Sequence, residues 1–128
     1  MTGSMVEPSC PALIIFDDDA FRRSLIKTLD QKHFSVTCSP DGDAAVDLLK
    51  TTQQTFKVVL LGLDLKTQKG LKALEYLRDH RERVQCGVII IGEPNPEIRT
   101  YAPWADETLL KPVDPDYVAK RARTYCGC

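Results

Sequence analysis

A doubly wound α/β fold, a five-stranded parallel sheet with helices on both faces, is the architecture this sequence predicts. Three observations carry it. Short apolar runs without alternation, such as Ala12–Phe16, Val58–Leu61 and Gly87–Ile91, read as strands buried on both faces. Between them lie segments whose apolar residues recur at helical spacing. Strand and helix patterns alternate along the chain with no repeat and no linker, which is the signature of βαβ units.

The elements follow in order. Ala12–Phe16 is the first strand and runs into Asp17-Asp18-Asp19; Asp19 is placed to cap a helix carrying Phe21, Leu25, Ile26 and Leu29 on one side. Phe34–Cys38 alternates as a second strand. The turn residues 39–43 then lead into a helix with Ala44, Ala45, Leu48 and Leu49 inward. Val58–Leu61 is the third strand, and after Gly70 a third helix places Leu71, Leu74 and Leu77 inward. Gly87–Ile91 is the fourth strand, Glu107–Leu110 a short fifth, and residues 114–125 the last helix. Between the fourth and fifth strands, Pro94, Pro96 and Pro103 confine any helix to about residues 97–102, with Asn95 as its cap. The fourth helix is therefore shortened.

At 128 residues the chain is one domain's worth, with 43% hydrophobic and 27% charged residues. Residues 1–9 read as a flexible tail whose first four residues resemble an expression scar, residues 10–125 as the domain, and residues 126–128 as a second tail. A net charge of -1 gives no basis for nucleic-acid binding, and no apolar run is long enough to span a bilayer. Five scattered cysteines, an odd number, fit reduced thiols and a cytoplasmic protein better than a disulfide framework, and Cys126-Gly-Cys128 reads as part of the frayed tail. His33 is too isolated for catalysis or metal binding; His80 reads as a charge at a helix C-terminus, with phosphotransfer a minor alternative.

In an open parallel sheet, sites form beyond the carboxyl ends of the strands. This sequence delivers Asp17 and Asp18 there after the first strand, Gly62 after the third, Gly92 after the fourth, and Lys111-Pro112 after the fifth. Carboxylates suit a hard cation such as Mg²⁺, and a lysine suits a phosphoryl oxygen.

With Leu13-Ile-Ile-Phe-Asp-Asp-Asp19, the eight-residue step from Gly62 to Gly70, and Leu109-Leu-Lys-Pro-Val113 in this order, the chain resembles the receiver domain of two-component response regulators. The resemblance implies a flavodoxin-like fold with strand order 2-1-3-4-5. It puts Asp17 and Asp18 on the acidic pair that helps hold Mg²⁺, and Lys111 on the lysine that contacts the phosphoryl group, with Pro112 following it. It also exposes three departures. Gly62 stands at the phosphoacceptor aspartate, Gly92 at the Ser or Thr that closes on the phosphoryl group, and Thr108 at the aromatic of the switch. Glycine has no carboxylate to act as nucleophile.

The leading expectation is a pseudo-receiver: not an enzyme, independent of phosphorylation, and working as a protein-interaction or dimerisation module toward a signalling kinase, an output domain or a second copy. Its candidate surface comprises Tyr101, Trp104, Lys120, Arg121 and Arg123. With one carboxylate missing and Lys111 able to neutralise another, Mg²⁺ binding is expected to be weak or absent. The alternative is an atypical receiver phosphorylated on Asp64 or in the acidic cluster, although Asp64 lies two residues past Gly62, an outward step of roughly 6–7 Å. An enzyme on the same scaffold is disfavoured, because three aspartates replace the Gly-rich phosphate cradle.

Overall fold

The computed structural model describes residues 10–16, 19–39, 42–51, 56–63, 70–81 and 86–126. The strands are β1 (Cys10–Ile15), β2 (Phe34–Ser39), β3 (Val58–Leu63), β4 (Gly87–Gly92) and β5 (Glu107–Leu110). The helices are α1 (Asp19–Gln31), α2 (Gly42–Thr51), α3 (Leu71–Asp79), α4 (Ile98–Tyr101) and α5 (Pro115–Arg123), with a 3-10 turn, Ala102–Trp104, after α4. The strands form one parallel sheet, as the sequence pattern predicts, in the order β2-β1-β3-β4-β5 that the resemblance implies.

Two apolar cores lie on opposite faces of the sheet because successive strand residues point to opposite sides. One joins Ala12, Ile14, Leu60, Ile89 and Ile91 to α1 and α5 through Leu25, Leu29, Val118 and Ala122. The other joins Leu13, Ile15, Val59, Leu61, Val88 and Ile90 to α2 and α3 through Ala45, Leu49, Leu74 and Leu77. All residues of β4 are buried. Each fully buried Leu or Ile contributes about 1.5–3 kcal/mol of transfer free energy, so the central strands dominate the fold's stability.

Local chemistry sets the helix boundaries. Asp114 caps α5, its Oδ1 accepting from the Asp116 amide at 2.9 Å, and Pro115 occupies the first helical position. Asn95 Oδ1 accepts from the Glu97 amide at 2.9 Å, and the four-residue α4 starts one residue later than the sequence suggests. α3 begins after Gly70, whose φ of 86° lies in the left-handed region that favours glycine. At its other end the Nδ1 of His80 lies 2.8 Å from the Tyr76 carbonyl. That oxygen can only accept, so Nδ1 carries a proton.

Two expectations are corrected. Cys10 and Cys126 form a disulfide, so these thiols are not reduced and Cys126 belongs to the domain core rather than to a frayed tail. A separation of 116 residues hides the pair in sequence; the topology places the start of β1 beside the end of α5. The thiol argument for a cytoplasmic protein falls with it. Strand three also continues past Leu61, so Gly62 lies inside β3 rather than beyond it.

Candidate functional site

The ladder registers align the carboxyl ends of the strands. Ile15 pairs with Leu61, Gly62 with Ile91, Leu63 with Gly92, and Gly92 with Leu110. The Lys111 amide then donates to the Gly92 carbonyl at 2.8 Å, fixing the lysine at the same edge. The Lys111–Pro112 peptide is cis. Gly62, Gly92 and Lys111 thus lie toward the carboxyl ends of β3, β4 and β5. Asp17, Asp18 and Asp64 lie outside the described residues.

What fills this edge is aromatic. Phe16, immediately after β1, is 3% exposed and turns its ring across β3. A Cβ on residue 62 would stand 2.5 Å from Phe16 Cδ1 and 2.6 Å from Cε1, closer than side chains approach. Phe16 packs on Phe21 of α1 with ring centroids 5.3 Å apart, and Arg22 donates to the Phe16 carbonyl at 3.3 Å. The Lys111 ammonium lies 5.1 Å from the centre of the Phe21 ring, a cation–π distance. The position where the resemblance implies a carboxylate is occupied by an apolar ring, and the pocket lysine faces a neighbouring ring.

Gly92 is closed in a similar way. A Cβ there would stand 3.0 Å from Ile98 Cδ1 and 3.3 Å from the Leu63 carbonyl. Gly70 returns the chain onto the same strand, where an added Cβ would be 2.5 Å from the Gly62 carbonyl. Thr108 is half-buried and lines an open groove of about 600 Å³ with Pro94, Pro96, Ile98 and Leu110.

Mg²⁺, which the resemblance implies, takes oxygen ligands. Strand three offers no side-chain oxygen at Gly62, and no group of three or more His, Cys, Asp or Glu residues that could hold a metal exists among the described residues. Asp17 and Asp18, the pair that the resemblance assigns to the ion, lie outside those residues.

The expected surface residues divide. Tyr101 and Trp104 are half-buried, meet edge to face at 5.1 Å and pack on the α3 side of the core, with Arg78 stacked 4.1 Å over the Trp104 ring. Arg121 is held by Glu107 of β5 through two bonds of 2.8 Å. Lys120 is exposed, whereas Arg123 stacks on Phe34. The large apolar side chains exposed on this face are Leu110 and Tyr117, at 46% and 48%. The Arg121 guanidinium holds the Glu107 carboxyl below its ordinary range. Burial, and then the bond its hydroxyl donates to Glu107, pushes Tyr125 up to about 12.

Sequence reasoning missed Phe16, Phe21 and Ile98, the side chains that fill the edge. The only signal was a large aromatic directly before the acidic run, which reads as an ordinary strand residue until the register is known.

Comparisons with known proteins agree with this architecture. The model of the response regulator receiver domain family matches residues 12–123. The transcriptional regulatory protein SrrA of Staphylococcus aureus is 26% identical over 111 residues, covering 87% of this chain and 45% of SrrA. The chain therefore spans less than half the length of the curated relatives it matches. Among solved structures, a CheY-like receiver domain protein from Methanospirillum hungatei superposes with a TM-score of 0.78 at 19% identity, covering 94% of this chain and 95% of that one. The response regulator TrrA of Thermotoga maritima, in complex with Mg²⁺ and BeF, gives a TM-score of 0.73 at 15% identity, with coverages of 90% and 97%.

Proposed function

The chain belongs to the response regulator receiver domain family, and from that premise we propose that it is a receiver whose acceptor edge is closed by side-chain packing and which signals by surface contact. The observation that carries this reading is the Phe16 ring in the space a side chain at residue 62 would need. A glycine alone could be an isolated loss. A glycine with an aromatic already seated over it is an edge repacked around the missing acid.

The chemistry agrees. Aspartyl phosphorylation needs a carboxylate nucleophile, and β3 supplies none. With an apolar ring at that place, Mg²⁺ binding is weak or absent, although TrrA is described with the ion. The domain is not an enzyme in this reading. It presents a protein-binding face built from α4, β5 and α5, where Leu110 and Tyr117 are exposed beside the groove at Thr108. The partner is a signalling kinase, an output domain or a second copy of this chain. SrrA is named a transcriptional regulator; in a protein of that kind DNA contact would fall to another part, consistent with this chain's net charge of -1. No helix among the described residues is long and apolar enough to cross a membrane.

The test is incubation with acetyl phosphate and Mg²⁺ followed by intact mass measurement. The expected result is an unchanged mass. An adduct lost in mild base would overturn the reading, and its disappearance in Asp64→Asn would assign it to the alternative acceptor. A Trp104 fluorescence titration that saturates at low millimolar Mg²⁺ would count against weak ion binding.

A further inference from the structure

Where α1 ends and β2 begins, the chain lies against α5 and leaves an open cleft of about 580 Å³. The two helices are neighbours because Leu25, Leu29, Val118 and Ala122 share one apolar core. On the α5 side the cleft is lined by Asp116, Ala119, Lys120 and Arg123, a single stripe of the helix at spacings of three and one. Lys32 and His33 stand on the other side. Three permanent cations, Lys32, Lys120 and Arg123, thus share the cleft with one carboxylate, in a chain whose net charge is -1.

These cations are positioned without being neutralised. Arg123 is fixed twice, its Nη2 donating to the Lys32 carbonyl and its guanidinium lying 4.8 Å from the centre of the Phe34 ring. Both partners are uncharged and leave the positive charge in place. Lys32 lies 3.9 Å from Asp116, but the two side chains are 47% and 73% exposed. An ion pair that open to water contributes only about 0–1 kcal/mol. Lys120 is exposed and has no ion-pair partner among the described residues. The chain enters β2 through His33 at a φ of 68°, where glycine is the unstrained choice, and the residue found there is one that lines the cleft.

We propose that this cleft is a docking site for an acidic peptide segment of a partner protein. Lys120 and Arg123 are three residues apart on α5, which separates their Cβ atoms by roughly 5–6 Å, and Lys32 adds its charge from across the cleft. Charges spread in this way match carboxylates along an extended chain, whose same-side residues repeat every roughly 6–7 Å. A small phosphorylated molecule fits less well, because such ligands take sites that enclose most of their surface. A membrane also fits less well: the large apolar side chains exposed among the described residues, Leu110 and Tyr117, do not line the cleft. A nucleic acid would bring its phosphates against Asp116. The cleft is separate from the acceptor edge, so this inference stands whether or not that edge takes a phosphoryl group.

The test uses the whole 128-residue chain and a dye-labelled hexaglutamate peptide, read by fluorescence anisotropy. Saturable binding is expected below about 1 mM peptide, weakening at least tenfold as salt rises from about 50 to about 500 mM. Hexaglutamine is expected not to bind. Lys32→Glu and Lys120→Glu are each expected to weaken binding at least fivefold, and Lys120→Ala two- to threefold. Lys72→Glu, the same charge change on α3 across the sheet, is expected to weaken it less than twofold. The proposal is overturned by absence of saturation, by equal binding of hexaglutamine, or by equal losses in Lys72→Glu and Lys120→Glu. It is also overturned by displacement of the peptide with micromolar pyrophosphate. Tighter binding of phosphatidylglycerol vesicles or of an oligothymidylate would overturn it in favour of a membrane or a nucleic acid.

Discussion

The ring of Phe16 stands where the side chain of residue 62 would begin, 2.5 Å from the Cβ that Gly62 lacks. The two positions are therefore coupled, and placing an acid at residue 62 is not a single substitution. Gly62→Asp alone is expected to cost about 1–3 kcal/mol through overpacking. Phe16→Val alone is expected to cost a similar amount by leaving a cavity. The double variant is expected to recover about 1–2 kcal/mol relative to the sum. Urea denaturation of the four proteins checks this, and strict additivity would show that the ring does not close the edge.

Gly70→Ala is a second probe of the same edge. The position combines a φ of 86° with a close approach to the Gly62 carbonyl, so alanine meets both backbone strain and a collision. A loss of about 1–3 kcal/mol is expected, again measured by urea denaturation. An unchanged midpoint would mean that the loop relaxes away from β3 at no cost.

The contact between β5 and α5 gives a pH signature. The Arg121 guanidinium lowers the Glu107 carboxyl, so its contribution is complete above the ordinary glutamate value near 4.3. It is lost as pH falls through the lower folded value. Glu107→Gln is expected to lower the Tm at pH 7 by a few degrees and to flatten the acid limb of the stability profile. Tyr125, raised to about 12, acts in the opposite direction: its contribution is complete below pH 10 and is lost as pH rises toward 12. Tyr125→Phe is expected to flatten the alkaline limb. Calorimetry from pH 2 to pH 11 reads both variants.

If α4, β5 and α5 form the contact face, Leu110→Asp and Tyr117→Asp are expected to leave unfolding within about 0.5 kcal/mol of wild type, since both side chains are exposed. Any self-association seen by sedimentation velocity is expected to weaken at least tenfold. Association that is untouched by both would move the interface elsewhere.

The fold was legible because its signals are local. Val58–Leu61 and Gly87–Ile91 have no polar face to expose, and a strand buried on both sides belongs in the middle of a parallel sheet. Pro94, Pro96 and Pro103 likewise shorten α4, to about residues 97–102 in the sequence reading and to Ile98–Tyr101 in the structure. That residue 62 carries no side chain was also legible. What fills that space was not, because Phe16 turns toward β3 only through the side-chain packing of neighbouring strands. The Cys10–Cys126 bridge was hidden for the same reason: it is a product of topology across 116 residues. Trp104 and Tyr101 were candidates for the contact surface from the sequence, and the structure packs both against the α3 side of the core, with Arg78 over the Trp104 ring.

The junction between the first strand and the last helix has a mechanical consequence. A pull applied through the backbone at residues 10 and 126 loads a covalent link spanning 5.6 Å rather than the hydrogen-bonded ladders. While that link is intact the sheet between them is shielded from tension.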